Sequence, residues 1–172
     1  MNAVREASSF REFEPTTQNQ RNLRDAFGRF ATGVTIVTVA TPDGPVAITA
    51  NSFSSVSLDP PLVLWSPDKS SRRFPFFAEA EHFAIHVLAS DQDDLCWRVA
   101  RDMWGLGAKD VAWNNEGVPV LTHYLARFDC HRHATYDGGD HDIVVGRVLR
   151  AGLREEGDAL GFFKGKMNRF TA

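Results

Sequence analysis

The chain has 172 residues, 43% of them hydrophobic and 24% charged, which is the balance of one globular domain able to bury a sizeable core. A formal charge of −3 gives no whole-chain attraction to nucleic acid or an anionic membrane, and no apolar run is long enough to span a bilayer. Cys96 and Cys130 stand far apart and form no motif, so a disulfide framework is not expected and a reducing cytoplasm is.

The N-terminal run MNAVREASSFREFEPTTQNQ is polar and lacks the apolar centre of a signal peptide. Residues 1–19 are expected to be a loosely held arm, and residues 20–172 one domain. Leu23, Phe27 and Phe30 fall at helical spacing, which predicts a helix over 20–30 that Gly33 ends. VTIVTVAT (34–41) is dense in branched residues and predicts a strand. Pro42-Asp43-Gly44 predicts a turn into a second strand over 46–56. A short apolar strand is expected at 62–65. Ser70 or Ser71 is expected to cap a helix reaching Glu79, shortened by Pro75. FAIHVLA (83–89) reads as a buried strand, followed by a helix over 92–102 capped by Asp91. The Trp- and Gly-rich stretch 103–117 predicts irregular chain. Strands are expected at 125–136, 142–153 and 159–163, with Asp137-Gly138-Gly139-Asp140 turning between the first two. Short strands outnumber helices and hairpins dominate, which predicts an antiparallel barrel with a few peripheral helices. Alternating βα units are absent, and the lone Gly105-Leu106-Gly107 follows no convincing strand, so no dinucleotide fingerprint is present.

Four stretches carry candidate chemistry. TANSFSSVSLDPP (49–61) gathers hydroxyls and an amide that could grip a phosphate or a heteroaromatic edge. Its plainer reading is a strand end facing solvent. SPDKSSRR (66–73) places serines and cations at an expected helix start, where N–H groups and the helix dipole favour an anion. Its plainer reading is an ordinary capped surface helix. GGDHD (138–142) allows a sharp turn from which Asp140 and His141 project, the latter titrating near neutrality. Alone, it reads more readily as an acidic turn. In CHRH (130–133), His131 and His133 share a strand face and could meet His141 at a metal. Cys130 faces the other way and no clear fourth ligand exists, so no metal site is expected. Neither a Gly-x-Ser-x-Gly nor a cysteine in a catalytic setting supports a hydrolase.

Taken together, FGRFATGVTIVT (27–38), TANSFSSVSLDPPLVL (49–64), FAIHVLASDQDDL (83–95), GVPVL (117–121), GGDHDIVVGRV (138–148) and GFFKGKM (161–167) resemble one family in order and spacing. It is the short-chain flavin reductases of two-component monooxygenases, within the flavin-reductase-like FMN-binding split-barrel superfamily. The resemblance implies a mainly β fold, an antiparallel Greek-key split β-barrel with a few peripheral helices. It implies an NAD(P)H:flavin oxidoreductase with FMN or FAD and NADH or NADPH as co-substrate. It implies a homodimer and a separate flavin-dependent oxygenase as partners, with no nucleic acid or membrane. Carried over, Thr49, Ala50, Asn51 and Ser52 would touch the isoalloxazine edge or ribityl chain. Ser54, Lys69, Ser70 and Ser71 would hold the phosphate end, and His141, with Asp140, would stand near the nicotinamide. The family usually has Gly where Ala47 stands, Asn where His86 stands and an aromatic where Met167 stands. His86 would add a titratable donor if it touched the flavin, and would otherwise be a packed strand residue. Rival readings are an FMN-binding electron carrier of the same fold and a split-barrel oxidase of the pyridoxamine phosphate type.

Overall fold

The structure is a computed structural model that describes residues 10–171. Half of the expected arm, residues 1–9, lies outside the described residues, as does Ala172. The rest of the arm carries no helix or strand before residue 20 and is tied back by Arg11, which donates to Asn22 at 2.9 Å.

The elements run α1 (Gln20–Phe27), β1 (Thr32–Gly33), β2 (Thr35–Thr41), β3 (Gly44–Ala50), β4 (Ser54–Leu58), β5 (Pro61–Trp65), α2 (Phe74–Glu79) and β6 (His82–Val87). There follow α3 (Asp93–Arg101), β7 (Val111–Trp113), β8 (Pro119–Leu121), β9 (Ala126–Gly138), β10 (His141–Leu153), β11 (Ala159–Phe163) and β12 (Lys166–Phe170). The fold is mainly antiparallel β with few helices, as the sequence predicts. No helix among the described residues is long and apolar enough to cross a membrane.

Several boundaries differ from expectation, each for a local reason. Helix α1 stops at Phe27 because Gly28 takes the C-cap, its N–H reaching back to Arg24, so Gly33 has no part in ending it. The expected strand over 46–56 is two strands, β3 and β4, interrupted at residues 51–53. Helix α2 starts only at Phe74, with Arg73 as N-cap and no side-chain cap, so neither Ser70 nor Ser71 caps it. Asp91 does not cap α3. Gln92 stands at the N-cap, its amide oxygen accepting from the Ala89 N–H and its amide nitrogen donating to the His123 carbonyl. The stretch 103–117 is not wholly irregular, since β7 pairs with β8 inside and beyond it. Strand β12 was not expected. It pairs with β11 through a turn at Lys164 and Gly165, whose φ values of 51° and 75° are those of a tight hairpin.

The main sheet has the strand order β3-β2-β6-β9-β10-β5-β4. Its two edge strands, β3 and β4, are consecutive in sequence. Six inter-strand gaps would put the edges of a flat sheet about 29 Å apart. The chain from Ala50 to Ser54 reaches at most about 14 Å. The sheet must therefore curl until its edges approach, and residues 51–53 sit where they meet.

Strand β2 is buried on both faces from Thr35 to Val39, which is why its sequence is dense in branched residues without apolar–polar alternation. One face adds Val37 and Val39 to a core with Trp65, Phe77, Phe83 and Val144. The other puts Ile36, with Val34, against Leu88, Cys96, Leu121 and Leu160, beneath α3. Acidic Asp93 and Asp94 in the first turn of α3 and basic Arg98 and Arg101 in its last turn complement the helix dipole.

Candidate functional site

Side-chain hydrogen bonds fasten the chain on both sides of the crossing between β3 and β4. The Thr49 hydroxyl donates to the Cys96 carbonyl of α3 at 3.1 Å, and the Thr35 hydroxyl donates to the Ala50 carbonyl at 2.8 Å. The Ser52 hydroxyl accepts from the Ser66 N–H at 2.9 Å and donates to the Ser66 carbonyl at 3.3 Å, fastening the crossing to the loop after β5. Phe53 stacks on Phe128, with ring centroids 5.5 Å apart.

Three cavities follow this crossing. One of about 300 Å³ is lined by Thr49, Ala50 and Asn51, with Trp97, Phe162 and Met167 among its apolar walls. A second, about 420 Å³, shares Asn51 and Phe162 with the first and adds Arg24, Arg29, Phe30 and Lys164. A third, about 440 Å³, shares Ala100 with the first and is lined by Ser71, Arg72, Arg101 and Trp104. Apolar walls beside a threonine and an exposed amide suit a planar heteroaromatic ring, which needs greasy faces and a polar edge. The Asn51 amide has no hydrogen-bond partner among the described residues, so it is available to such an edge.

The loop after β5 packs against the β9–β10 hairpin. Asp68 and His141 form an antiparallel bridge, the Lys69 N–H donates to the Asp140 carbonyl, and the Asp142 N–H donates to the Pro67 carbonyl. Gly139, with φ of 84°, makes the tight turn of the hairpin. Beyond it the His141 Nδ1 lies 2.8 Å from an Asp140 carboxylate oxygen. Lys69 Nζ donates to Asp137 and to the Gly139 carbonyl, with Asp142 at 3.4 Å. The Lys69–Asp137 hydrogen bond raises the lysine pKa and lowers that of the aspartate.

The predicted residues thus fall into two linked groups. Thr49, Ala50 and Asn51 line a cavity, and Ser52, outside it, fastens the crossing to Ser66. Lys69, Asp140 and His141 meet at the hairpin, joined to the first group through Ser52–Ser66 and Asp68. Ser71 borders the third cavity. The helix-start anion site does not form as expected. The Ser70 N–H and hydroxyl both donate to Asp68 at 2.7 Å, lowering the aspartate pKa, and α2 begins later. Ser54 lies on β4, exposed, with its hydroxyl on the Ser55 carbonyl.

His86 must be corrected as a cofactor contact. It is fully buried, its Nδ1 3.0 Å from the Ile36 carbonyl and its Nε2 accepting from the Leu121 N–H at 3.0 Å. It is the packed strand residue of the two alternatives. His131 meets Glu81 at 3.1 Å and stacks edge-on to His82, and Cys130 is buried. Sequence reasoning missed Arg29, Phe30, Trp97 and Lys164. Lys164 had only the glycine after it, at Gly165, to mark the turn between β11 and β12. Trp97 had only its position on the outer side of α3 to mark it.

The chain matches the flavin reductase like domain over residues 27–171. It belongs to the flavin reductase-like family. The FMN reductase (NADH) SmoA of Agrobacterium fabrum is 56% identical over 161 residues, covering 92% of this chain and 91% of that protein. The reductase component of the flavin-dependent trigonelline monooxygenase of Acinetobacter baylyi is 45% identical over 150 residues. That match covers 84% of this chain but 47% of the relative, so this reductase-like chain spans about half its length. Among solved structures, BorF, the flavin reductase component of a bacterial two-component tryptophan halogenase, superposes with a TM-score of 0.83 at 38% identity, covering 90% of this chain and 99% of that one. The Streptomyces globisporus NADH:FAD oxidoreductase SgcE6, in complex with NAD and FAD fragments, superposes at 0.85 with 33% identity, covering 93% and 98%.

Proposed function

We propose that this chain is an NAD(P)H-dependent flavin reductase that transfers hydride to FMN or FAD and supplies the reduced flavin to a separate oxygenase. The observation that carries the reading is the cavity at the β3–β4 crossing, apolar in its walls and edged by Thr49 and Asn51, in a chain of the flavin reductase-like family.

A bound flavin supplies the redox chemistry, its ring taking a hydride from the dihydronicotinamide. The chain supplies position and polarity. The Thr49 hydroxyl, with its proton committed to the Cys96 carbonyl, presents lone pairs to the cavity. The Asn51 amide offers both a donor and an acceptor to the ring edge. Trp97, Phe162 and Met167 would give the ring apolar walls that exclude water, and proximity and orientation of the two rings would do most of the work. His141, its ring held by Asp140, would help position the dinucleotide. SmoA is named for NADH and FMN, which favours that pair here.

A homodimer is supported by Phe27 and Phe30, 69% and 78% exposed at the rim of the cavity that shares Asn51, where a second copy would cover them. Cytoplasmic action is supported by the use of a nicotinamide nucleotide. The test is oxidation of NADH and NADPH by the purified protein with FMN, FAD or riboflavin. Flavin-dependent oxidation is expected, faster with one nucleotide. Flavin binding without turnover would instead make the protein a carrier.

A further inference from the structure

The resemblance assigns Lys69 to the phosphate of the flavin, but its surroundings already engage it. Its ammonium donates to the Asp137 carboxylate and to the Gly139 carbonyl at 2.8 Å, and the Asp142 carboxylate lies 3.4 Å away as a second counter-ion. All three belong to the hairpin that ends in His141. The backbone runs the same way. The Lys69 N–H donates to the Asp140 carbonyl at 3.0 Å, and the Asp142 N–H returns to the Pro67 carbonyl at 3.1 Å. Asp68 bridges His141 between these two bonds.

We propose that Lys69 is a positioning residue for the nucleotide side of the site, a strap that holds the His141 hairpin against the loop after β5. This deepens the reductase reading and rests on it. Two carboxylates face one lysine, so an incoming phosphate would have to displace at least one of them and would meet the other as a like charge. Binding phosphate here would therefore cost the strap its counter-ions. The β5 and β6 ladders hold β10 and β9 farther from the turn, so the tip is tied to the loop after β5 by the two backbone bonds, the Asp68–His141 bridge and the Lys69 side chain. Lys69 stands 68 residues earlier in sequence than Asp137, so its side chain joins two segments far apart along the chain.

The test separates a strap from a phosphate ligand. FMN and riboflavin differ by the phosphate alone. In Lys69→Met the KM for NADH is expected to rise at least fivefold, while the ratio of kcat/KM for FMN to that for riboflavin stays within twofold of the unaltered protein. Kcat at saturating NADH should fall much less than KM rises. Asp137→Asn should shift the NADH KM the same way, and Lys69→Arg should recover part of it by bridging the same carboxylates. Amide exchange gives a readout that needs no turnover: in Lys69→Met the amides of residues 69 and 142 should exchange at least tenfold faster. A collapse of the FMN-to-riboflavin ratio in Lys69→Met overturns the proposal, and so does unchanged exchange at those two amides. If the unaltered protein reduces no flavin, the reductase reading fails, and the exchange comparison still decides whether Lys69 ties the hairpin.

Discussion

His86 illustrates what a single buried side chain can do far from the chemistry. The Ile36 carbonyl can only accept and the Leu121 N–H can only donate, so the ring is held as the neutral tautomer with its proton on Nδ1. Burial pushes its pKa down to about 3 from 6.5, and the nearby Arg127 adds to that. A proton at Nε2 would also confront the Leu121 N–H. The sign follows from linkage. The unfolded chain takes up a proton below pH 6.5 that the folded chain refuses until about 3, so the contribution is fully present above 6.5 and is lost as pH falls through that window. The slope from this one group reaches about 1.4 kcal/mol per pH unit. Urea unfolding of His86→Asn should show a shallower loss of stability between those pH values than the unaltered protein. An equal slope would mean that other groups dominate. The sequence alone could not assign the role of His86, because FAIHVLA is buried on both faces and alternation gives no clue to which side the ring takes.

At the scale of elements, β10 shows why a glycine stands in the middle of a long strand. The β9–β10 register shifts between Val145 and Gly146, and a Cβ at 146 would lie 2.7 Å from the Phe83 ring and 3.1 Å from the Cys130 Cβ. Both neighbours are buried and cannot swing aside. Gly146→Ala should destabilise the protein by about 1–3 kcal/mol, the usual cost of overpacking. The check is a lowered urea midpoint with an unchanged m-value. A midpoint that does not move would show that the bulge absorbs the methyl. Hairpins and strands with strong turn signals were legible: Pro42-Asp43-Gly44 and Asp137 to Asp140 fall where the turns are. The break at 51–53 was not, because Val46 to Val56 continues in residues that suit a strand, and only the curl of the whole sheet forces the interruption. Strand β12 escaped for the opposite reason. Lys166–Phe170 is largely exposed and polar, so its pairing is set by the turn at Lys164 rather than by hydrophobic pattern.

At the scale of the molecule, the open rims of the cavities call for a cover. Sedimentation at micromolar concentration should give a species of two chains of 19.2 kDa each, and replacing Phe27 and Phe30 together with serine should shift it towards one. A single-chain species before substitution would remove the dimer from the reading. The general class was legible because composition and short β-rich runs report on packing directly. The candidate site was half legible. Hydroxyls near a strand end announce capacity for hydrogen bonding, but which of them are consumed internally depends on how the chain folds around them: Ser52 bonds Ser66, 14 residues away, and Ser70 bonds Asp68 in its own turn.

The crossing from β3 to β4 has a mechanical meaning as well. Three residues act as a short tether between the two margins of a seven-stranded sheet. Cutting the chain there, in a circular permutant that begins at Phe53 and joins the native termini, would preserve every strand yet release the margins from each other. Such a permutant should keep its secondary structure and lose its grip on flavin, because the ring cavity is walled by the very residues whose spacing the tether sets. The proposed flavin cavity and the tether between the sheet's margins share one segment of backbone.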